Sequence, residues 1–577
     1  MFAERQMTDF QPVTAARVHE EIRNLTRQGE FFEVTRRSYS FGERLAFINA
    51  AETMLDILQS ARNHGDAEFL VYEANRLTYA DFFKAADAFA AWLQRAREIQ
   101  PGDRVALAMS NRPEWLIAFA GAILVGAIVV PINSWGKADE LSFAIHDSGA
   151  SVVVLDRARF DLVSNRLPDL DTHVVIAESV DCMPAESVHF LTEILDTWPG
   201  HAYEVASPDT ESACLVLYTS GSTGFPKGVV HHHAAVCQVH MNMMFLGFLT
   251  MQLEGQREFQ GGATRETPLL TVPLFHATGL NSGFLVPASL GHKVVMMRKW
   301  NRDAALQLIH DERITNISSV PAILMDLLSS PDFNSYDTSS LIRVASAGAA
   351  TPSGLPELIR TRLGEPNRST GYAMTETLAV ATTMSGCVYD LKPDSAGILS
   401  PIMEMRFAST GGDVLPPGQP GEIQMRGITC TTGYWRSPEA TADVMTGDGW
   451  LKSGDIGYLD EDGFLHVTGR IKEIVIRGGE NIFPGEIESV AYQHPAVKEV
   501  VVFGVDDVAM GEELVMVCYC QEALQHAEVE LREFLGLHLA GYKVPRHIVF
   551  SRDPLPRNAS EKLHKLKVRE RFIAGNV

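Results

Sequence analysis

The stretch Tyr218-Thr219-Ser220-Gly221-Ser222-Thr223-Gly224-Phe225-Pro226-Lys227-Gly228 decides how the rest of the chain is read. An apolar, strand-like run, Cys214–Tyr218, precedes it, and a helix is expected after it. Small residues let backbone amides approach a phosphate closely. Successive amides can cradle an anion, hydroxyls add donors, and a lysine supplies a mobile positive charge. It is not a Walker A loop, which ends in Gly-Lys-Ser/Thr; here Pro226 precedes the lysine and Gly228 follows it. An ordinary Gly/Ser turn is the competing reading, but such turns seldom end in Pro-Lys-Gly.

Outward from this word, strand-like and helix-like segments alternate. Arg104–Met109, Val152–Leu155, His173–Ile176, Leu269–Val272, Lys293–Met297, Asn316–Val320 and Arg343–Ser346 read as strands, and Asp81–Arg97 as an amphipathic helix. That alternation predicts an α/β fold with layered, mostly parallel sheets. Trp115–Ile132 has no polar side chain over eighteen residues, which meets the length of a membrane span. Gly121, Gly126 and Pro131 divide it, so the expectation is a buried helix, Trp115–Val125, then a buried strand, Ala127–Ile132. Residues 1–50 read as an N-terminal extension with one helix, Ala15–Gln28, and residues 51–470 as a large α/β domain. Short β runs between Gly, Pro and Asp turns mark a small β-barrel-like subdomain at about 391–470. Residues 471–577 read as a smaller α+β domain.

Composition narrows the partners. Asp plus Glu number 72 against 49 Lys plus Arg, a net charge of −23. Such a surface repels nucleic acid and anionic lipid, so bound anions must be met by local devices. The seven cysteines are scattered without a CxxC pair, and Met1–Phe10 has no apolar run. These features predict a cytoplasmic protein with no integral membrane span, no structural zinc and no secretory leader. Self-association into a homo-oligomer is left open.

Five further words stand in order along the chain: Pro273-Leu-Phe-His276-Ala-Thr278-Gly279, Gly371-Tyr372-Ala-Met-Thr375-Glu376-Thr377, Gly449-Trp-Leu-Lys-Ser-Gly-Asp455, Gly469-Arg470-Ile-Lys472-Glu-Ile-Val-Ile-Arg-Gly478-Gly479, and Leu555-Pro-Arg-Asn-Ala-Ser-Glu561-Lys562. Together with the phosphate word they resemble the adenylate-forming superfamily, over about residues 50–577. That superfamily includes acyl- and aryl-CoA synthetases, peptide-synthetase adenylation domains and firefly luciferase.

The resemblance implies an acyl-CoA ligase that uses ATP, Mg²⁺ and coenzyme A to convert a carboxylic acid to its acyl-adenylate and then its thioester. It implies nucleotide contacts from Thr219, Ser220, Gly221, Ser222, Thr223, Gly224, Lys227, Thr370, Gly371, Tyr372, Thr375, Asp455, Arg470 and Lys562, and metal ligands Thr219 and Glu376. It casts Lys562, Lys227 and His276 as catalytic, and His276, Thr278, Ser282, Ala347 and Gly348 as acyl-pocket residues. Lys472 becomes a hinge about which the C-terminal domain moves between half-reactions, and Gly478 and Gly479 pass coenzyme A.

Elementary chemistry agrees with these roles. Joining two anions needs positioning and charge neutralisation more than covalent help. Mg²⁺ keeps several waters, so one carboxylate and one hydroxyl suffice. Asp455 has acceptors for two ribose hydroxyls. Each residue also has a plainer reading: turn aspartate for Asp455, core tyrosine for Tyr372, structural histidine for His276, solvated basic tail for Lys562 with Lys565, Lys567 and Arg569. His231-His232-His233 reads as a polar lead into a helix rather than a metal site.

Two departures stand out. Glu561 precedes Lys562 where relatives carry glycine, and Ala347-Gly348-Ala349 replaces a common Gly-Gly-Ala-Pro. The expected pocket walls, His276–Ser282, Val320–Leu324 and Ala345–Thr351, are apolar and small. They suit a fatty, aryl or alicyclic acid and disfavour amino acids and diacids. Loading a carrier protein in trans, luciferase-like oxygenation and a degenerate nucleotide-binding scaffold remain as alternatives.

Overall fold

The computed structural model describes residues 13–169, 172–178, 188–219, 226–255, 265–346, 354–364, 366–409, 411–478, 480–494, 496–508, 510–520, 528–557 and 562–576. Two large sheets form its body. One runs, edge to edge, Lys227–His232, Ala213–Thr219, Ile128–Pro131, Arg104–Ala108, Val152–Leu155, His173–Ile176 and Val188–Phe190. Its first pair is antiparallel and the others are parallel. The other has nine strands from Ile398–Leu399 to Asn75–Thr78, parallel in the middle and antiparallel at both ends.

The sheets face each other across a shared core that includes helices Tyr79–Ala96 and Pro113–Leu124. Helices on the outer faces, among them Ala138–Ser148 on one sheet and Arg302–Glu312 on the other, complete five alternating layers.

The apolar run divides as its glycine and proline residues imply. Pro113 opens the helix at its first position, and Gly126 turns the chain at φ +77°. Every residue of Pro113–Leu124 except Glu114 is buried, each large side chain contributing about 2 kcal/mol of transfer free energy. At Gly121 a Cβ would lie 2.9 Å from the Ala86 carbonyl, so only glycine lets this helix lie so near Tyr79–Ala96.

A four-stranded antiparallel sheet, Met403–Ala408, Gly421–Gly427, Leu451–Leu459 and Leu465–Arg470, follows. The preceding strand Ile398–Leu399 pairs with Thr382–Ser385 and belongs to the large sheet. The last sheet is built on the long hairpin Val497–Asp507 and Gly511–Cys520. Helices Pro484–Ala491 and Glu528–His538 cover one face, and Lys565–Ile573 the other.

Two expectations need correction. The N-terminal segment is more than a helix: Val34–Tyr39 and Gly42–Phe47 form a hairpin, masked in sequence by its polar alternation. Its Phe47 and Phe32 join helix His233–Leu253 and Phe464 in one core. The phosphate word leads into a strand, Lys227–His232, and the helix starts only at His233. Helix His233–Leu253 is long and apolar enough by composition to cross a membrane, but 67% of its apolar window is buried inside the protein.

The three histidines are buried, and each meets a different backbone group. His231 Nε2 lies 2.9 Å from the Thr375 carbonyl, His232 Nδ1 accepts the Ala235 amide that opens the helix, and His233 Nδ1 accepts the Met54 amide. Burial is the first cause lowering their pKa from 6.5, to about 3 for His231 and about 4 for His232 and His233; it lowers His240 to about 4 as well. The unfolded chain therefore binds more protons than the fold between these values and 6.5. The contribution of these histidines to stability is complete above pH 6.5 and declines as pH falls toward 4. Thermal melting should show a midpoint that drops steadily from pH 7 to pH 5; a flat midpoint would contradict the neutral, buried state of these rings.

Candidate active site

The nine-stranded sheet, the four-stranded sheet and the C-terminal segment converge on one carboxylate. Asp455 sits in strand Leu451–Leu459 directly opposite Arg470 on Leu465–Arg470. It is only 8% exposed. Tyr372, which ends strand Asn367–Tyr372, donates its hydroxyl to Asp455 Oδ2 at 2.7 Å. Arg470 Nε lies 2.9 Å from Oδ1, with most of the guanidinium side chain open to solvent. Burial, then the Asp455 charge, raises the Tyr372 pKa, so the phenol stays a donor. Gly371 precedes it where a Cβ would lie 2.5 Å from the Thr382 carbonyl. Thr370 lies in the same strand, paired with Met384.

Lys562 reaches this group from the far end of the chain. Burial and Arg470 lower its pKa, while Asp455 opposes them. The residue as a whole keeps an exposed surface. The arm carrying it is anchored close by: His564 donates its amide to the Pro556 carbonyl at 2.7 Å, and Arg557 bridges to Leu563. Lys565 places its ammonium 2.7 Å from Glu473 and 3.0 Å from Glu488. The plainer reading of a solvated basic tail does not hold, since these residues form a helix, Lys565–Ile573, whose first lysine is held by two carboxylates.

His276 caps the short helix Ala277–Leu280 at the edge of the same site. Burial, then the Lys562 charge, lowers its pKa to about 4, so the ring is neutral at physiological pH. The chain continues through a π-helical turn, Asn281–Leu285, in which Ser282 donates to the Thr278 carbonyl at 2.7 Å.

A second cluster holds Lys227 and Glu376. Thr219 and Lys227 are paired in register across the hairpin. The Lys227 ammonium lies 5.2 Å from the centre of the Tyr434 ring, and the Tyr434 hydroxyl donates to Glu376 Oε1 at 2.7 Å. Glu376 is 8% exposed and follows Thr375 in a single 3₁₀ turn. Among the described residues no group of three or more His, Cys, Asp or Glu side chains could hold a metal. A single carboxylate suits an ion such as Mg²⁺, which takes one or two carboxylates plus substrate phosphates.

Lys472 is exposed in the 3₁₀ turn Ile471–Glu473, immediately after Arg470. Gly478 has φ +59°, and a Cβ there would lie 2.7 Å from the Met510 methyl. Ser220, Gly221, Ser222, Thr223, Gly224, Ala347, Gly348, Gly479 and Glu561 lie outside the described residues. Sequence reasoning missed Tyr434, and read His231 only as part of a polar lead into a helix. The signal for Tyr434 is faint, an aromatic in the Gly433-Tyr434-Trp435 turn, because its partners lie 58 and 207 residues away.

Residues 57–435 match the AMP-binding enzyme family, and residues 486–562 match the AMP-binding enzyme C-terminal domain. The chain belongs to the AMP-binding enzyme family. It is 33% identical over 520 residues to a feruloyl-CoA synthase from an Amycolatopsis species, covering 89% of this chain and 98% of that one. It is 31% identical over 501 residues to a long-chain-fatty-acid–CoA ligase from Mycobacterium tuberculosis, covering 86% and 94%. Its fold is similar to that of the anthranilate CoA ligase AuaEII in complex with anthranoyl-AMP, with TM-score 0.78, 26% identity and coverage of 91% and 98%.

For an AMP-binding enzyme the Asp455 cluster makes a separable prediction. Asp455→Asn removes the charge that holds Arg470 and should lower kcat/KM for ATP by about 10- to 100-fold, the value of a charge-assisted hydrogen bond. Tyr372→Phe, which removes one donor and keeps the ring, should cost about threefold to tenfold. Steady-state kinetics at varied ATP checks both.

Proposed function

We propose that this AMP-binding enzyme is an ATP-dependent acid–thiol ligase that activates a hydrophobic carboxylic acid as its acyl-adenylate and transfers the acyl group to coenzyme A. The observation that carries the reading is the meeting of Asp455, Arg470, Tyr372 and Lys562, with His276 beside them. In the first half-reaction a carboxylate oxygen of the acid bonds to the α-phosphorus of ATP, and the bond to pyrophosphate breaks. Asp455 accepts the ribose hydroxyls, Tyr372 presents its face to adenine, and Thr370, Gly371 and Thr375 line the base and α-phosphate. Lys562 lies across the nascent carboxylate–phosphate contact, where negative charge concentrates. Lys227 and the amides of Ser220 to Gly224 take the outgoing phosphates.

Bound Mg²⁺ would neutralise phosphate charge, with Glu376 and the Thr219 hydroxyl to hold it. His276, neutral at pH 7, forms a wall beside the acid rather than a proton donor. Thr278 and Ser282, with Ala347 and Gly348, shape the acyl pocket.

In the second half-reaction the coenzyme A sulfur bonds to the acyl carbon, and the bond to AMP breaks. Lys472 is the hinge: it lies at the start of residues 471–577, just past residues 51–470, and is exposed. Rotation there withdraws Lys562 and brings Gly478 and Gly479 to the thiol path, where absent side chains let pantetheine pass along backbone. A feruloyl-CoA synthase and a long-chain-fatty-acid–CoA ligase at similar identity support a hydrophobic acid, aryl or fatty. The free cysteines Cys214, Cys237, Cys387, Cys430, Cys518 and Cys520 support a reducing compartment, the cytoplasm.

The half-reactions test this separately. Lys562→Ala should slow acid-dependent ATP–pyrophosphate exchange by at least about 100-fold, while thioester formation from supplied acyl-adenylate and coenzyme A stays within about threefold of the unaltered chain. Equal losses in both would remove Lys562 from the adenylation step. Lys472→Pro should do the reverse, sparing exchange and slowing thioester formation, because proline fixes φ at the hinge.

A further inference from the structure

Glu376 is a buried carboxylate, and among the described residues its one side-chain partner is a neutral hydroxyl, that of Tyr434. The same tyrosine turns its ring toward the Lys227 ammonium, at 5.2 Å and within the range of a cation–π contact. We propose that Tyr434 is a positioning residue that couples the two charged arms of the nucleotide site, fixing Glu376 through its hydroxyl and Lys227 through its ring. This rests on the ATP-binding roles given above to Lys227 and Glu376.

The backbone around Tyr434 is built to hold such a link. Trp435 donates its amide to the Gly228 carbonyl at 2.7 Å, and Val230 donates to the Gly433 carbonyl at 3.1 Å. The Tyr434 amide donates to Thr441 Oγ1 at 2.9 Å. Thr431 donates its hydroxyl to the Val230 carbonyl at 2.8 Å and its amide to the Glu376 carbonyl at 2.7 Å. His231 closes the frame from the other side through the Thr375 carbonyl. Three segments distant in sequence, 228–232, 375–377 and 431–435, are thus laced into one unit. Lys227 adjoins this unit at Gly228, and Glu376 lies within it.

The hydroxyl occupies one carboxylate oxygen and orients the second. The ring limits where the lysine stem can swing. The two functions are separable, because phenylalanine keeps the ring and loses the hydroxyl, whereas leucine loses both.

The test is equilibrium binding of ATP to the full chain by calorimetry, with and without Mg²⁺, for the unaltered protein, Tyr434→Phe and Tyr434→Leu. Tyr434→Phe should bind metal-free ATP within twofold of the unaltered chain, while the tightening caused by Mg²⁺ shrinks about tenfold, the scale of one hydrogen bond to a charged group. Tyr434→Leu should show the same loss and also bind metal-free ATP about threefold more weakly, the scale of one exposed cation–π contact. An unaltered Mg²⁺ effect in Tyr434→Phe overturns the proposal. So does an equal weakening with and without metal accompanied by a lower melting temperature, which would mark Tyr434 as structural only. Because no acid or coenzyme A is present, this outcome is independent of whether the chain forms an acyl-adenylate.

Discussion

A buried carboxylate needs donors, and Asp455 obtains them from places that would otherwise have no reason to meet. Tyr372 comes from the end of a strand in the nine-stranded sheet, and Arg470 lies across one antiparallel ladder. Lys562, 107 residues after Asp455, approaches the same charge from the C-terminal segment. An unpaired carboxylate at this depth would cost several kcal/mol. The pairings therefore tie the relative placement of the two sheets and of the terminal arm to one electrostatic requirement. The carboxylate that imposes this requirement, Asp455, is the one proposed to take the ribose hydroxyls.

The same economy explains how a chain with net charge −23 handles anionic substrates. Its cations near the site are few and each is restrained. Lys227 rests against the Tyr434 ring, Arg470 against Asp455, and Lys562 on an arm fastened through Lys565 to Glu473 and Glu488. Glu473 closes the 3₁₀ turn Ile471–Glu473, so the lysine arm and that turn form one connected body. His276, kept neutral by burial and by Lys562, adds shape without adding charge.

Much of this was legible in sequence because it is local. Val152–Leu155, His173–Ile176 and Arg343–Ser346 have the ends that their apolar runs imply. Gly126, at positive φ, divides the run 115–132 into helix and strand for a steric reason that needs no tertiary context. Asp455, Tyr372, Arg470 and Lys562 were named by their words, and the structure brings them together. What escaped depends on partners far along the chain. Lys227–His232 reads as the start of a helix until three buried histidines find backbone partners at Thr375, Ala235 and Met54. Tyr434 looks like any turn aromatic until Glu376 and Lys227 are folded against it. The hairpin of residues 34–47 is polar along most of its length, so its role in covering helix His233–Leu253 leaves little periodic trace.

The most direct measurement is product analysis of the purified protein incubated with ATP, Mg²⁺ and a panel of fatty and aryl acids, with and without coenzyme A. The account predicts acid-dependent AMP and pyrophosphate, no acid-dependent ADP, and a thioester that forms only when coenzyme A is present. Acid-dependent ADP, or no AMP from any acid of the panel, would contradict it.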